Sequence, residues 1–499
     1  IGHSYTTIAA DVLARYHRAE GHHVRFLTGT DEHGIKIYKA AQDKGTTPDA
    51  LADSVVVNFM DLWKALEISH DDFIRTSEDR HEKRVQELVR QLVETDEIYK
   101  GRYEGWYDEG QEEFVTESTA RENDYKGPLS GKPLVKYEEE NWFFRLGKWV
   151  PKLIEHIENH PTFIQPDARR NEVLSKLKQG VEDLCISRNR QKLPWGVEMP
   201  NDPEYVVYVW VDALSNYMNA LGIPEVGDDN DGRFAEFWPA DVHLIGKDIL
   251  WFHAVYWPCL LMALGRPLPK CVFAHGWWTS EGKKMSKSLG NFISREVIHE
   301  IAEEYSVDVF RYYLLRAMNF GADGDFSQEM FRQRYNTELA NGVGNLLSRT
   351  VNMIGRYFDA TVPPASQDVQ EAIPVKQVAA ALREDAPGLM AEFQLHAYIQ
   401  RVMDLVDATN KFIEDTEPFR LAKDDSQRVR LGGILYTCAE AVRIVLSYLR
   451  PVMPATCDAG LAALGVESQE GTLSELGAFG RIEPETETRK IDPLFPRKK

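Results

Sequence analysis

The sequence predicts an α/β fold class: a doubly wound parallel sheet, interrupted by an inserted domain and followed by an all-helical domain. Short apolar runs alternate with helical patterns in residues 1–94 and again in 206–275, as in a parallel sheet covered by helices. The stretch between them is rich in glutamate, aromatic and turn residues, and beyond about residue 300 only helical periodicity continues. A chain of 499 residues is also too long for one hydrophobic core.

The first stretch begins with residues 4–20, where apolar side chains recur at helical spacing. Gly21 is expected to end this helix. A short strand is predicted at 23–27, followed by the polar loop 29–34 and a second helix from about Ile35. Helix, strand, polar loop and helix is the order typical of a doubly wound sheet.

The second stretch begins with the near-continuous apolar run 206–211, which predicts a strand buried on both faces. Two more strands are predicted at 242–245 and 271–274. The first of these is followed by Gly246-Lys247-Asp248 and the second by His275-Gly276. Open α/β sheets bind ligands at the carboxyl ends of their strands, so the sequence predicts a Rossmann-like sheet with a nucleotide crevice at this edge.

The predicted domains follow from these changes of pattern. In chain order they are a sheet domain, first half (1–94), an inserted domain (95–205), the sheet domain, second half (206–275), a lysine-rich loop region (276–335), a helical domain (336–480) and a docked or frayed tail (481–499).

Composition and charge exclude several classes of protein. The net charge of −20 argues against a wholly basic nucleic-acid binder, although a local basic face can still bind RNA. The five cysteines are dispersed without a C-x-x-C pair, which predicts a reducing, cytoplasmic location and argues against a disulfide framework. Without a run of 18 apolar residues, we expect no membrane span.

The loop 281–291 concentrates lysines, serines and glycines in an otherwise acidic protein. Mobile ammonium groups of this kind can bind a polyphosphate, but the spacing is not that of a P-loop. On its own such a loop is more often solvated surface. Its interpretation therefore depends on agreement with distant segments.

Several separate motifs together resemble class I aminoacyl-tRNA synthetases, and methionyl-tRNA synthetases specifically. Ile1-Gly2-His3 matches the last three residues of the HIGH signature, and Lys284 to Ser288 match the KMSKS signature. The more specific matches are 28–34, 208–214, 245–249 and 274–278. The resemblance covers essentially the whole chain, whereas the HIGH signature alone would indicate only the class.

The resemblance implies a two-step reaction. The carboxylate of L-methionine attacks the α-phosphate of ATP, bound with Mg²⁺, and the methionyl group then passes to the 3′ end of tRNA(Met), initiator tRNA included. In-line displacement at phosphorus requires positioning and cations rather than a protein nucleophile. The resemblance implies that His3, Lys284 and Lys287 are catalytic. It implies an ATP site of Gly2, His3, Gly246, Asp248, His275, Lys284 and Lys287.

For the amino acid, the resemblance implies that Asp31 pairs with the methionine ammonium group. Its position directly after a predicted strand supports this role independently of the resemblance. The alternative role is that of N-cap for the next helix. The implied methionine pocket consists of Trp210, Ala213, Tyr217, Ile249, His253 and Trp257. The last three are spaced four apart, so they are expected to share one helical face, a pattern that alone would indicate core packing. An aromatic wall suits a thioether.

In the helical domain, Asn345 and Arg349 lie four residues apart. The resemblance implies that this pair reads the anticodon by stacking and edge hydrogen bonds, and the alternative is a solvated helix face. Phe419 stands where the family has a tryptophan. Stacking is kept, but the indole N–H donor is lost.

Two departures from the family lead to further expectations. Zinc-containing relatives carry cysteine pairs in the inserted domain, where this chain has Asp108-Glu109-Gly110-Gln111, so we expect no structural zinc and no other metal site. Some relatives continue into a dimerising carboxy-terminal domain, so we expect a monomer. The first HIGH histidine and the strand before it lie outside the chain; if the protein lacks them, we expect it to be nearly inactive.

Two alternative functions are also compatible with the sequence. A sister enzyme for leucine, isoleucine or valine would carry an editing insertion larger than 95–205, and a cysteine enzyme would be expected to use zinc. A non-catalytic RNA-binding paralogue is the rival from another class. Intact Asp31, Asp248, Lys284 and Lys287 argue against it.

Overall fold

The computed structural model describes residues 2–111, 113–115, 117–223, 232–280, 283–284, 295–366, 369–467 and 470–498. Its contacts divide the chain into two compact units. We call Arg25–Lys64 with His70–His275 the sheet unit. We call Ile1–Val24, Ala65–Ser69 and Gly276–Lys499 the helical unit.

The regular elements are numbered in chain order. The strands are β1 (Leu27–Thr30), β2 (Asp72–Arg75), β3 (Ile98–Asp108), β4 (Glu113–Val115), β5 (Val135–Phe144), β6 (Ile164–Gln165), β7 (Leu184–Cys185), β8 (Ser187–Asn189), β9 (Tyr205–Val207), β10 (His243–Gly246), β11 (Val272–His275), β12 (Trp278–Ser280), β13 (Lys283–Lys284) and β14 (Gly324–Phe326). The helices as far as β11 are α1 (Gly2–Ala19), α2 (Ile35–Asp43), α3 (Pro48–Ala65), α4 (Asp79–Glu94), α5 (Glu117–Glu122), α6 (Leu146–Asn159), α7 (Asp167–Leu177), α8 (Val209–Asn219), α9 (Arg233–Phe237) and α10 (Trp257–Ala263). The later helices are α11 (Arg295–Glu304), α12 (Val307–Arg316), α13 (Gln328–Arg334), α14 (Asn345–Tyr357), α15 (Ile373–Ala391), α16 (Leu395–Thr416), α17 (Pro418–Leu421), α18 (Arg428–Leu449), α19 (Pro454–Ala463) and α20 (Leu473–Leu476).

Parallel pairing in the sheet unit confirms the predicted α/β fold class. Strands β1 and β2 form a two-stranded parallel sheet, and β10, β11 and β6 form a three-stranded one in that order, which we call the parallel sheet. Strand β6 falls inside the range predicted as an insertion, 95–205. That range therefore contributes to the parallel sheet as well as to a separate antiparallel sheet.

The antiparallel sheet has the order β4-β3-β5-β7, and its long β3–β5 pair runs from Ile98 opposite Phe144 to Tyr107 opposite Val135. At the end of β3 the buried Asp108 carboxylate accepts hydrogen bonds from the Gly110 amide and the Ser130 hydroxyl, both at 2.7 Å. A Cβ atom at Gly127 would lie 1.9 Å from Asp108 Oδ2, so glycine is required there. Hydrogen bonds to one carboxylate thus tie two turns together.

The hydrogen bonds of Asp108 predict how the thermal stability responds to metal chelation. Dialysis against EDTA should leave the thermal unfolding midpoint unchanged, because the Asp108 hydrogen bonds link the turns. Asp108→Ala should lower the midpoint by a few degrees. Leaving the Gly110 amide and the Ser130 hydroxyl without their acceptor costs about 1–3 kcal/mol. Glu109→Ala, which removes the neighbouring, more exposed carboxylate, is the matched control. A drop on chelation alone would mean that a metal holds the turns.

Two details of the predicted secondary structure are wrong. The strand predicted at 206–211 ends at Val207, and α8 begins at Val209. An apolar run cannot distinguish a buried strand from a buried helix, and α8 is buried over most of its surface. The other early strand, predicted at 23–27, begins only at Leu27.

The backbone around the predicted pocket helix is also irregular. Lys247–Ile249 form a 3₁₀ turn, Phe252–Tyr256 form a π-helix, and only then does α10 begin. Ile249, His253 and Trp257 therefore do not share a regular α-helical face. Single π-turns are frequent at functional sites, where they reorient side chains.

The helical unit confirms the helical periodicity predicted beyond about residue 300: a π-helix at Tyr335–Gly344 leads into α14, and α16 and α18 follow. One short strand beyond residue 300, β14, was not predicted; it pairs with β12. The tail is docked: Phe495 is buried and the Tyr335 hydroxyl donates to the Pro496 carbonyl at 2.7 Å. Among the described helices, none is long and apolar enough to cross a membrane.

A buried ion pair joins distant segments within the helical unit. The Arg311 guanidinium on α12 lies 2.7 Å from the Asp11 carboxylate on α1, and both side chains are fully buried. Arg311 also donates to the carbonyls of Leu66, Pro451 and Val452. One side chain thus links four segments that are far apart in sequence.

Candidate active site

The candidate nucleotide residues meet at the carboxyl edge of the parallel sheet. Gly246, the last residue of β10, lies opposite His275, the last residue of β11. A Cβ atom at Gly246 would lie 2.6 Å from Asp248 Oδ1 and 3.9 Å from His275 Cε1. Glycine therefore leaves room at the point where a polar ligand can reach both side chains.

Asp31 follows the end of β1 and is exposed, whereas the next two residues are buried. The Glu32 amide donates to the Thr76 hydroxyl at 2.9 Å, and its carboxylate accepts from Arg75 at 2.8 Å. The N-cap of α2 is Gly34, and no side chain caps this helix. The N-cap interpretation of Asp31 is therefore excluded, and its carboxylate stands on a firmly held loop.

An imidazole and aromatic cluster lies in the same unit. The hydroxyl of Tyr217 on α8 lies 2.7 Å from Nε2 of His253, and the indole of Trp257 donates to Nε2 of His243 at 3.3 Å. Burial of Tyr217 and the charge of Asp31 both raise the pKa of the tyrosine hydroxyl. Asp31 is thus electrostatically coupled to this cluster.

The hydrogen bonds of His253 define its tautomer. Its Nδ1 lies 3.0 Å from the Ile249 carbonyl oxygen and so carries the proton, which leaves Nε2 to accept from Tyr217. Burial lowers the pKa of His253 to about 4, although the Ile249 carbonyl and the nearby Asp248 carboxylate oppose that effect. The cluster is therefore neutral at physiological pH, which suits an apolar ligand.

We expect the His253 imidazole to stay neutral between about pH 5.5 and 8. Its folded pKa is depressed below the unfolded value of 6.5, so its contribution to stability is present above pH 6.5 and is lost as the pH falls towards 4. NMR of the imidazole Cε1 proton, assigned by comparison with His253→Gln, measures this. A resonance that titrates near pH 6.5 would contradict the buried, neutral assignment.

The remaining pocket candidates line the same region. Trp210, half-buried on α8, stacks on Phe252 with ring centroids 3.8 Å apart and an interplanar angle of 5°. Ala213 is buried on the same helix, and Ile249 is half-buried. Trp257 is almost fully buried, so it contributes mainly through packing and its bond to His243.

Sequence reasoning missed several residues of this region. Arg188 is buried, with its guanidinium 5.1 Å from the ring centroid of Tyr107 and 4.3 Å from that of Tyr208. A buried carboxylate at Asp212 is bonded to two histidines. Asp212 directly follows the apolar run 206–211, and a charged residue next to such a run was the available signal, whereas the polar sequence around Arg188 offered none.

The helical unit carries the other candidate residues. Gly2 and His3 lie exposed on the first turn of α1, and a Cβ atom at Gly2 would meet only open space. Lys284 lies on β13, its backbone paired with Thr279. Lys287 lies outside the described residues.

The predicted RNA-reading residues are accessible on the helical unit. Asn345 is exposed at the start of α14, Arg349 is half-buried one turn later, and Phe419 on α17 is 47% exposed. An exposed aromatic ring next to Pro418 is available for stacking.

A Rossmann-type sheet with polar strand ends, an amino-terminal helix carrying Gly2 and His3 and a carboxy-terminal helical part are the architecture of a class I aminoacyl-tRNA synthetase. The sequence profile described as "tRNA synthetases class I (M)" matches residues 1–123 and 123–351.

The similarity to individual proteins narrows the class. Methionine–tRNA ligase of Halalkalibacterium halodurans is 45% identical over 516 residues, which cover 100% of this chain and 76% of that protein. The same enzyme of Caldanaerobacter subterraneus subsp. tengcongensis is 46% identical over 497 residues, with the same coverage. The crystal structure of Mycobacterium tuberculosis methionyl-tRNA synthetase bound by methionyl-adenylate superposes with a TM-score of 0.92 at 38% identity, covering 99% of this chain and 96% of that one. The chain belongs to the methionine–tRNA ligase family.

Proposed function

We propose that this chain performs the methionine–tRNA ligase reaction at the carboxyl edge of its parallel sheet. L-methionine is activated with ATP to methionyl-adenylate and pyrophosphate, and the methionyl group is transferred to tRNA. The observation that carries the assignment of the site is the meeting of Gly246, Asp248 and His275 at one sheet edge, in the unit that also holds Asp31 and the neutral His253.

Methionine is held at its two ends. Asp31 pairs with the ammonium group, since an exposed carboxylate on a fixed loop loses little entropy on binding a cation. The thioether lies against Tyr217, His253 and the Trp210 ring, with Ala213, Ile249 and Trp257 completing the wall. Neutral imidazole and aromatic rings favour a soft sulfur over a charged side chain.

ATP enters as its Mg²⁺ complex. Asp248 binds the ribose hydroxyls and His275 lies beside the nucleotide. Gly2 is assigned to the adenine by its place in the HIGH signature. His3 donates to the phosphates, and the lysines of the KMSKS segment, Lys284 and Lys287, stabilise charge on the α-phosphate as the bond to pyrophosphate breaks.

A two-stage assay tests this proposal. The protein with methionine and ATP should form an enzyme-bound adenylate and release one pyrophosphate, and addition of tRNA(Met) should then yield methionyl-tRNA. Adenylate formation without transfer would leave the tRNA part of the proposal wrong, and no adenylate would overturn the activation site itself.

The RNA-reading surface is proposed to be Asn345, Arg349 and Phe419, which recognise the anticodon of elongator and initiator tRNA(Met). Arg349→Ala should lower the rate of tRNA charging at least about tenfold, because a base contact of this kind contributes about 1–3 kcal/mol. Pyrophosphate exchange without tRNA should stay unchanged. Lys376→Ala, an exposed cation on α15, is the control, and a parallel loss of exchange would show that Arg349 supports the fold instead.

We also propose a monomer in the cytoplasm without structural zinc. All five cysteines are free and buried, as suits a reducing compartment. The described residues contain no cluster of three or more histidine, cysteine or acidic side chains that could hold a metal.

A further inference from the structure

Asp212 lies on α8, between Trp210 and Ala213. Its carboxylate is completely buried. Oδ2 lies 2.7 Å from Nδ1 of His33, and Oδ1 lies 2.6 Å from Nε2 of His81. A buried carboxylate needs such donors, because desolvation would otherwise cost several kcal/mol.

The charges of this network are set by the same contacts. Burial alone would lower the pKa of His33, but the Asp212 and Glu82 carboxylates outweigh it and raise the pKa to about 10. Burial opposes ionisation of Asp212, yet His33 and His81 keep its pKa below the usual range. His33 and Asp212 therefore form a buried ion pair. The amide of Asn219 lies 3.2 Å from the other nitrogen of His81 and completes the network.

The network reaches both ends of the proposed methionine site. His33 lies two residues after Asp31, and Glu32 between them is bonded to Arg75 and Thr76 at the end of β2. Asp212 lies on the helix that carries Trp210, Ala213 and Tyr217. The ion pair thus connects the loop of the ammonium-binding carboxylate directly to the wall of the side-chain pocket.

We infer that Asp212 is a positioning residue that sets the distance between the ammonium anchor and the thioether pocket, and so selects the length of the amino-acid side chain. The inference rests on the proposed function of the site. Asp212 touches no substrate. It acts through His33 on the position of Asp31, and a shift of about 1 Å in such a group can cost on the order of 100-fold in rate.

A purely structural ion pair would behave differently. Its loss would weaken the binding of every amino acid by the same factor, or would lower stability alone. If the ion pair sets this distance, its removal should lower kcat/KM less for an amino acid that is longer by one methylene than for methionine. Discrimination of one methylene is typically about 10- to 200-fold.

The test compares methionine with its homologue that has one more side-chain methylene, in pyrophosphate exchange by the whole protein. Asp212→Asn removes the charge and replaces one acceptor by an N–H that faces a donor. The KM for methionine should rise at least about tenfold and the ratio of kcat/KM values for the two substrates should fall by a similar factor, with the KM for ATP unchanged. Asp241→Asn, whose carboxylate is 84% exposed beside Lys270, is the control.

A second pair of variants keeps the test decisive if Asp212→Asn does not fold. His33→Asn keeps an N–H where Nδ1 stands, and His33→Leu removes it, so only the leucine variant should lose the discrimination between the two substrates. Equal changes for both substrates, or no change in any folded variant, would overturn the inference. If the wild-type protein gave no exchange with methionine, or Asp31→Asn left the KM for methionine unaltered, the proposed function would fail instead.

Discussion

Asp31→Asn is expected to lower methionine-dependent pyrophosphate exchange by roughly 10- to 100-fold, mainly through a higher KM for methionine. A hydrogen bond between two charged groups contributes about 1.5–3 kcal/mol, and asparagine keeps the size of the side chain but not its charge. The neighbouring residues Glu32 and His33, which hold the loop, are unchanged. Steady-state exchange with varied methionine and then varied ATP measures the effect.

Asp43→Asn is the control for this variant, since Asp43 is exposed at the end of the helix that follows the same loop. It should behave like the wild type. If Asp31→Asn instead raised the KM for ATP as much as that for methionine, the carboxylate would belong to the nucleotide side of the site. The assignment of the ammonium anchor would then be wrong.

Arg311→Ala is expected to be the most destabilising single change considered in the helical unit. Removing one partner of a buried ion pair costs about 3–5 kcal/mol, because the remaining charge stays buried. Here the partner is Asp11, and the carbonyls of Leu66, Pro451 and Val452 would lose their donor as well. Urea unfolding followed by hydrogen exchange within α1 and α12 measures the loss.

The matched control is Arg450→Ala. Arg450 pairs with Asp458 at 2.6 Å, but both side chains are more than half exposed, so the expected loss is at most about 1 kcal/mol. If the two variants lost the same stability, the buried pair would not hold the segments of the helical unit together. The double variant Asp11→Asn/Arg311→Met should recover part of the stability, since it leaves no fully buried charge; Arg15, which also pairs with Asp11 at 2.7 Å, is partly exposed.

The sequence predicts those parts of the candidate site that lie at the ends of parallel strands. Parallel strands end at the same edge, so Gly246 and His275 could be expected to meet, and the structure places them opposite each other. Asp31 could likewise be placed at a strand end. The exclusion of its N-cap role needed the structure, because only the backbone reveals that Gly34 occupies that position.

Other parts depend on contacts that no local pattern encodes. His33 and Asp212 are 179 residues apart, and each alone has the pattern of an ordinary loop or core residue. The π-helix that reorients His253 has no sequence signature, and the apolar run from Val206 to Val211 fits a strand as well as a helix. Tertiary packing decides such cases.

The departures from the family concern the surface and the inserted sheet more than the site. Phe419 keeps an exposed ring but offers no N–H donor, so the recognition proposed there relies on stacking. In the inserted sheet, Asp108 and Ser130 join the two turns through hydrogen bonds. Neither change alters the residues at the carboxyl edge of the parallel sheet.

Amino-acid-dependent exchange of pyrophosphate into ATP shows directly whether this site activates methionine. The protein should be assayed with methionine, leucine, isoleucine, valine and cysteine, each over a range of concentrations that yields kcat/KM. We expect rapid exchange with methionine and at least about a hundredfold lower kcat/KM with the other four. Exchange supported equally well by another of these amino acids, or by none, would contradict it.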